Sequence, residues 1–471
     1  MAAVHCGESS ALQGFPTPTD GAVDASPPPV DAGDAQDSLV CTPEVLAEPH
    51  VATTYYVAID EPGADDDACD GRAPTNEGNG RCPFKDLDAI VRRGLFDTKT
   101  GVRVELRAGS YLVTAWEGLV MNGAGTAESE SLVISAYAGE KPVVGAPVRS
   151  NASCIPPEGG MIPAGCVRQV ISVLGTFVIV QGLTIQDGLA YDMTVGGSNH
   201  LVRCNKFTYT TPNTPGGSGR SDELKAFAAQ SIIVHNEFTH WESQAVDTAG
   251  SRGGGLVIEE NDFHDPHDRG CGAVGIKFGG RDITVRKNRI HDIAGAECQM
   301  RAVLGAGGTG TTHPDDFSAY RAVITENRVW NVNERLATFA SCQDCIFERN
   351  DASDVIAGVF VTTGMTGAAE CAASPTGCRA TTGLRIDGNR IRNAHGTGEA
   401  GTANFFVGVE SAVEATGLTM GSNVYCAAPT AADARFNWAN TTLVFDEWKT
   451  TSGTDTTSTA LATTDPGCMG W

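Results

Sequence analysis

Apolar positions along this chain alternate with a period of two, in short bursts broken by glycine, asparagine and aspartate. From about residue 170 the bursts share one form, followed less exactly at Asn350: an alternating apolar strand, then asparagine, one further residue and an apolar residue. It reads "LVRCNKF" at Asn205, "IIVHNEF" at Asn236, "LVIEENDF" at Asn261 and "ITVRKNRI" at Asn288. It continues as "VITENRV" at Asn327, "CIFERND" at Asn350, "LRIDGNRI" at Asn389 and "LTMGSNVY" at Asn423. Period two is the signature of strands rather than helices. Successive asparagines lie 23 to 39 residues apart, a spacing that signals stacked supersecondary units. Many units also carry an earlier strand ending in small residues, as in "YDMTVGG", "DELKAFAA", "QAVDTAG", "GAVGIKFGG" and "RAVLGAGG". One rung is therefore a strand, a small-residue corner, a second strand and an asparagine turn.

Stacked rungs place equivalent side chains about 4.8 Å apart. At that spacing asparagine amides bond to each other and to turn backbone, and asparagine tolerates the left-handed turn conformation. The pattern predicts an all-β solenoid over residues 51–425. Its first coil needs a cap, because an end rung otherwise exposes core. "YYVAI", the amphipathic helix "PFKDLDAIVRRGL" with Phe84, Leu87, Ile90 and Val91 on one side, and the strand pair "GVRVELRAGSYLV" around Gly109 supply it. Residues 1–50 are rich in Pro, Ala, Asp, Gly and Ser, which predicts a disordered acidic tether. Residues 426–471 are Thr-rich and less regular, and read as a C-terminal cap tied by Cys426 and Cys468.

The rung "GIKFGGRDITVRKNRIHD" followed by "RAVLGAGGTG" resembles secreted right-handed parallel β-helix proteins of the pectate-lyase-like superfamily, over roughly residues 53–425. The resemblance implies a right-handed parallel β-helix and, as in several lyases of that group, cleavage of an acidic glycan by β-elimination. In that scheme a cation, either calcium or an arginine, neutralises the uronate carboxylate while a lysine or arginine removes the C5 proton.

Composition narrows the partners. The formal charge is −24, so nucleic acid and anionic membrane surfaces are unfavourable partners. A monomer is expected. No apolar run reaches the 18 residues of a membrane span. "AAVHC" resembles the tail of a lipoprotein signal, with Cys6 as the lipidated residue, which suits a secreted or surface-anchored protein. Fifteen cysteines point to an oxidising compartment. Disulfides are expected for Cys69–Cys82, Cys154–Cys166 and Cys371–Cys378, each closing a short polar loop. "CQDC", Cys342 to Cys345, also reads as a redox or zinc half-site, but no second CxxC accompanies it.

Candidate chemistry centres on Lys277. Ile276 and Phe278 are expected to face the core, so Lys277 faces out. Aligning rungs on the small-residue pair puts Asp247 beside it, with Asp222, Glu223 and Lys225 one rung earlier, Lys225 one place out of register, and Arg301 one rung later. On the lyase reading, Lys225 or Lys277 is the base, Asp222, Glu223 and Asp247 hold calcium, and Arg301 binds a carboxylate. The competing reading is a ladder of surface ion pairs, each worth at most about 1 kcal/mol. The stretch from Lys277 to Arg301 is locally basic, and Arg281 within it can face an anionic sugar. "NDFHDPHDRG" supplies His264, Asp265, His267 and Asp268, and His291 with Asp292 repeats one rung later. Trp241, Trp330, Phe238 and Tyr320 are candidate stacking surfaces for sugars. "DEPGADDDACDG" crowds Asp65, Asp66 and Asp67, an oxygen-rich loop suited to calcium. The alternative to an enzyme is a non-catalytic glycan-binding or adhesion module.

Overall fold

The computed structural model describes residues 41–97, 99–147, 166–210, 222–248, 253–267, 270, 272–277, 280–293, 302–307, 317–362, 379–392, 405–410, 416–428 and 430–468. Twelve strands, from Thr53–Val57 to Thr419–Gly421, stack in parallel as one face. A second sheet takes two further strands from most coils, one directly after the asparagine turn and one after the next loop. We call these the first and second flanks. A short third sheet joins Gly280–Arg281, Ala319–Tyr320 and Cys342–Gln343 at the corner leading back to the twelve-stranded face. Among the described residues every strand pairing is parallel except Arg435–Trp438 with Thr441–Val444. The chain is a parallel β-helix.

The core is a set of columns. Val104, Ile134, Val180, Val202, Ile233, Ile258, Val285, Ile324, Phe347 and Ile386 stack in register. Each is at most 1% exposed. On the first flank Phe207, Phe238 and Phe263 stack with centroids 4.8 Å apart, the rung spacing itself. Burying each such ring contributes roughly 1.5–3 kcal/mol. Phe238 is thus core rather than a sugar platform.

All eight repeat asparagines form one buried ladder. The Asn205 backbone amide donates to Asn236 Oδ1 at 3.0 Å and its side-chain amide to the same oxygen at 3.1 Å. The pattern repeats from Asn236 to Asn261, Asn288, Asn327, Asn350, Asn389 and Asn423. The left-handed residue is not the asparagine but the one before it: Cys204, His235, Glu260, Lys287, Glu326, Arg349, Gly388 and Ser422 have φ between 51° and 63°. The asparagine is required for its amide, which donates to the preceding coil and accepts from it.

Both ends of the described solenoid are closed. Asp86 caps the helix Leu87–Arg92, whose Leu87, Ala89 and Ile90 are buried; Val91, expected on that face, is 56% exposed. At the other end Asp455 is fully buried and finishes the ladder. It accepts from Asn423 Nδ2 (3.4 Å), Tyr425 OH (2.8 Å), Trp448 Nε1 (3.0 Å) and the Ser458 hydroxyl. Trp448 lies on the helix Phe445–Ser452, and Cys426–Cys468 ties this cap.

Of the expected leader, residues 1–40, Cys6 included, lie outside the described residues. Residues 41–50 are described, and they lie on the twelve-stranded face with a short helix at Pro43–Ala47. Arg103 donates to the carbonyls of Leu46, Ala47 and Pro49 at 2.8–2.9 Å. Arg203 donates to those of Val45 and Glu48, and Cys41 is bonded to Cys204. The sequence shows no pattern for this pairing, because the two cysteines are 163 residues apart. Cys69–Cys82 is closed as expected. Cys166 is disulfide-bonded, while Cys154, Cys371 and Cys378 lie outside the described residues. Cys342 and Cys345 are bonded to each other, which leaves no zinc half-site there.

Asn288→Ala would orphan the Asn261 backbone amide and remove one hydrogen bond each from the Asn261 side-chain amide, the Ile258 carbonyl and Asn327 Oδ1. The expected loss is about 2–3 kcal/mol of unfolding free energy, since a buried unsatisfied group costs roughly 1–3 kcal/mol and the lost bonds add to it. Urea unfolding that finds a loss below about 1 kcal/mol would contradict the ladder's structural role.

Candidate functional site

Three outward columns run along the second flank. The middle one reads Thr194, Lys225, Asp247, Gly275, Gly305, Thr338 and Phe360 in strict register. Lys225 is therefore directly beside Asp247, not one place out of step, and the equivalent of Asp247 in the next coil is Gly275 rather than Lys277. Lys277 lies two residues past Gly275 and reaches back. Both ammonium groups meet one oxygen: Lys225 Nζ is 2.8 Å and Lys277 Nζ 3.5 Å from Asp247 Oδ2. The two lysine side chains are 21% and 19% exposed, that of Asp247 only 4%.

Asp222 completes the cluster from behind. It is 8% exposed, and its Oδ1 accepts from the Gln244 amide at 3.1 Å. Burial, then the charge of Asp247, push its carboxyl up to about 6, against the opposing pull of Lys277 and Lys225. Burial works to lower the Lys225 ammonium, but the charge and hydrogen bond of Asp247 outweigh it and the net shift is upward. Lys225 is thus held firmly charged. Its ammonium also lies 5.5 Å from the centre of the Tyr191 ring.

Beyond this cluster the surface loses its side chains. A Cβ built on Gly305 would meet nothing closer than the Val274 carbonyl at 3.9 Å, so its outer side is open. Ala302 and Ala340 flank it on neighbouring columns. The Gln244 side chain lies over Gly275, and among the described residues its Oε1 is buried without a hydrogen-bond partner. Arg335 and Phe360 stand on the far side, the guanidinium 4.4 Å from the ring centre. Phe227, two residues past Lys225, is 40% exposed. The result is a shallow floor between a lysine pair and an arginine–phenylalanine pair. Neither Phe227 nor Arg335 stands out in the sequence, since each acquires a role only through register.

The remaining candidates separate. Glu223 is fully buried, in a column with Asp192, Ala245, Ala273, Val303 and Leu336, all 0% exposed; it does not share the surface of Asp222 and Asp247. Trp241 is also 0% exposed and is core rather than a sugar platform. Arg301, Phe278 and Asp268 lie outside the described residues. Arg281 packs over the Tyr320 ring at 4.8 Å on the third sheet. His267 bonds the Tyr209 carbonyl at 3.2 Å and packs on His240. In the acidic loop Asp65 accepts from the amides of Asp67 and Ala68, and Asp66 from those of Lys85 and Asp86, while Arg92 faces Asp66 and Asp67. Among the described residues no group of three or more His, Cys, Asp or Glu is placed to hold a metal. The donor set does not fit calcium: Asp247 already faces two ammonium groups, Glu223 is interior, and the loop carboxylates serve backbone amides and Arg92.

On the first flank, the residue three past each ladder asparagine forms another outward column. It reads Thr208, Thr239, His264, His291, Trp330, Ser353, Arg392. His264 stacks on His291 at 5.1 Å and His291 on Trp330 at 4.3 Å. A hydrogen bond to Glu237 holds His264 charged, pushing it up to about 9, and takes Glu237 down to about 2.

No family model matches the chain, and no curated protein matches it. Among solved structures it is similar to the pectate lyase Pel9A, at 11% identity over 89% of this chain and 82% of that one, with a TM-score of 0.46. A rhamnogalacturonan lyase aligns at 14% identity over 75% and 84% of the two chains, with a TM-score of 0.47. PfbA, a surface adhesin of Streptococcus pneumoniae, aligns at 11% over 75% and 84%, with a TM-score of 0.42. The parallel β-helix itself rests on the strand register and the asparagine ladder.

Asp222 carries a pH signature. Its folded value, about 6, lies above the ordinary 3.8. Between those values the folded state holds a proton that the unfolded state has lost, so stability falls as pH rises from about 4 to 6 and stays lower at neutral pH. Asp222→Asn keeps an acceptor for Gln244 and removes the charge. The variant is expected to be more stable than the parent at pH 7, on the order of 1–3 kcal/mol, with the difference vanishing near pH 4. Urea midpoints showing the same difference at both pH values would contradict this environment.

Proposed function

We propose that this is an extracellular carbohydrate-active protein, a polysaccharide lyase that cleaves an acidic, uronate-containing glycan at the Lys225–Asp247–Lys277 cluster. One observation carries the reading: two half-buried ammonium groups share one buried carboxylate, on the same face as the open outer side of Gly305. The cluster sets two cationic side chains at the surface of a protein whose total is −24, and an ammonium with donors left over beyond Asp247 can meet a sugar carboxylate. The closed disulfides favour an oxidising, extracellular setting.

The roles divide by charge state. Lys225, held charged by Asp247, meets the uronate carboxylate and stabilises negative charge developing as the C5 proton leaves. Lys277, further from Asp247, is the better placed of the two to work as base in its neutral form. The C5–H pair becomes the C4–C5 double bond, the C4–O bond breaks, and the departing oxygen takes a proton back from Lys277. No step requires calcium. A second reading, a non-catalytic glycan-binding module, is favoured by the ion pairing of Lys277 itself with Asp247, at 3.5 Å, since an ion-paired lysine is a poor base.

The test is a panel of uronate polysaccharides assayed for the ultraviolet absorbance of the unsaturated product. Lys277→Ala is expected to fold normally and lose turnover by at least about tenfold, more than 1.4 kcal/mol of transition-state stabilisation. Lys225→Ala is expected to lose at least as much. Binding without product in the parent would support the second reading, and full activity in both variants would place the site elsewhere.

A further inference from the structure

Among the described residues six large apolar side chains stand exposed: Val91, Leu112, Val120, Leu174, Phe227 and Val444. Scattered singly, such side chains need no explanation, but three of the six meet on the second flank. Asn122 pairs with Leu174. The Gly196 amide then donates to the Val173 carbonyl and the Phe227 amide to the Val195 carbonyl, each at 2.9 Å. These bonds carry on the register of the strands before them, so Asn122, Leu174, Gly196 and Phe227 form one column. Val120 heads the neighbouring column, followed by Ser172, Thr194 and Lys225.

A glycine makes the ledge. A Cβ on Gly196 would lie 2.6 Å from Phe227 Cε2 and 3.6 Å from Leu174 Cδ2. The phenyl ring thus leans back over Gly196 toward Leu174, in space that a larger residue at this position would fill. The side of the ring against the flank is covered, yet Phe227 is 40% exposed, Leu174 39% and Val120 40%. The Thr194 and Ser172 hydroxyls between them are buried and bonded to each other at 3.3 Å. What these two columns offer outward ahead of Lys225 is mostly apolar.

Position selects the occupant. Phe227 lies two residues past Lys225, about 6.6 Å along the same backbone. Along the solenoid axis the ledge and the open side of Gly305 flank the lysine cluster from opposite directions. A linear glycan lying along that axis, with one ring at the cluster, sets its next ring over Phe227. A pyranose carries its hydroxyls at the rim, which leaves a C–H face to pack on the weakly negative face of an aromatic ring. A protein partner fits less well, since a stable interface needs roughly 800 Å² from each side and three part-exposed side chains fall far short of it.

We propose that the Phe227–Leu174–Val120 ledge is a binding subsite for a sugar ring with an apolar C–H face, next along the chain from the uronate at the lysine cluster. The inference rests on the reading of this flank as a glycan site, but not on catalysis there.

The experiment titrates the full chain calorimetrically with hexasaccharides of galacturonate, mannuronate and glucuronate. At least one is expected to bind, and Phe227→Ala to weaken that binding at least tenfold, with melting temperature confirming the fold. Phe227→Tyr, which keeps the ring, is expected to stay within about threefold of the parent, a free-energy change of roughly 0.7 kcal/mol or less. Val91→Ala, which removes an exposed apolar side chain on the capping helix, is expected to change nothing. For an acid that gives unsaturated product the constant read is KM, with kcat expected to hold, the mark of binding made equally in ground and transition states. Tenfold loss in Phe227→Ala without product from any acid would sustain the subsite and remove the lyase reading. Product formed with one KM by the parent and Phe227→Ala would overturn the subsite alone. Equal losses in Phe227→Tyr and Phe227→Ala, or a parent dimer that Phe227→Ala dissociates, would overturn it as well. Neither binding nor product from any of the three acids would overturn it together with the glycan reading.

Discussion

Every coil of this protein must repeat the backbone of its neighbour at about 4.8 Å, and the asparagine ladder is the interaction that enforces it. Each buried amide accepts from the coil before it and donates to the coil after it. A coil of the wrong shape would leave several polar groups unpaired away from water, at roughly 1–3 kcal/mol each. The left-handed residue before each asparagine costs on the order of 1 kcal/mol where it is not glycine, and the ladder holds it there. Asp455 ends the series by accepting what a further asparagine would have accepted.

This constraint turns sequence into surface. Because register is fixed at the asparagine, side chains at equal offsets from it form columns, and chemistry is organised down a column rather than along the chain. Lys225 and Asp247 meet across 22 residues of sequence through adjacent rungs. The gap beside them arises because Gly305 occupies the same column where other coils carry lysine, aspartate or phenylalanine. Interior columns are equally strict: Glu223 is buried because its column is apolar in the coils after Asp192, whatever its own side chain.

Much of this was legible in the sequence. The period-two bursts and the recurring asparagine yield the solenoid, and reading three residues past each asparagine yields the histidine–tryptophan stack directly. The second flank was harder. Its strands follow loops of unequal length, so aligning them on small residues displaced Lys277 by two positions and set Lys225 out of step. Trp241 looked like a sugar platform because nothing in its own stretch shows that its ring joins the hydrophobic core. The Cys41–Cys204 bond joins a segment of leader-like composition to a distant corner, and composition says nothing of the Arg103 and Arg203 guanidinium groups that hold its carbonyls. The left-handed residue was assigned one position late because asparagine's turn preference and its ladder role point to the same corner.

The central claim is that the Lys225–Asp247–Lys277 cluster meets an anionic sugar rather than serving as a surface ion-pair ladder. A crystal structure of the Lys277→Ala protein with an acidic tetrasaccharide tests it most directly. The account predicts a sugar ring over Gly305, with its carboxylate in hydrogen-bond reach of the Lys225 ammonium. A tetrasaccharide bound only elsewhere, with the floor between Lys225 and Arg335 empty, would contradict it.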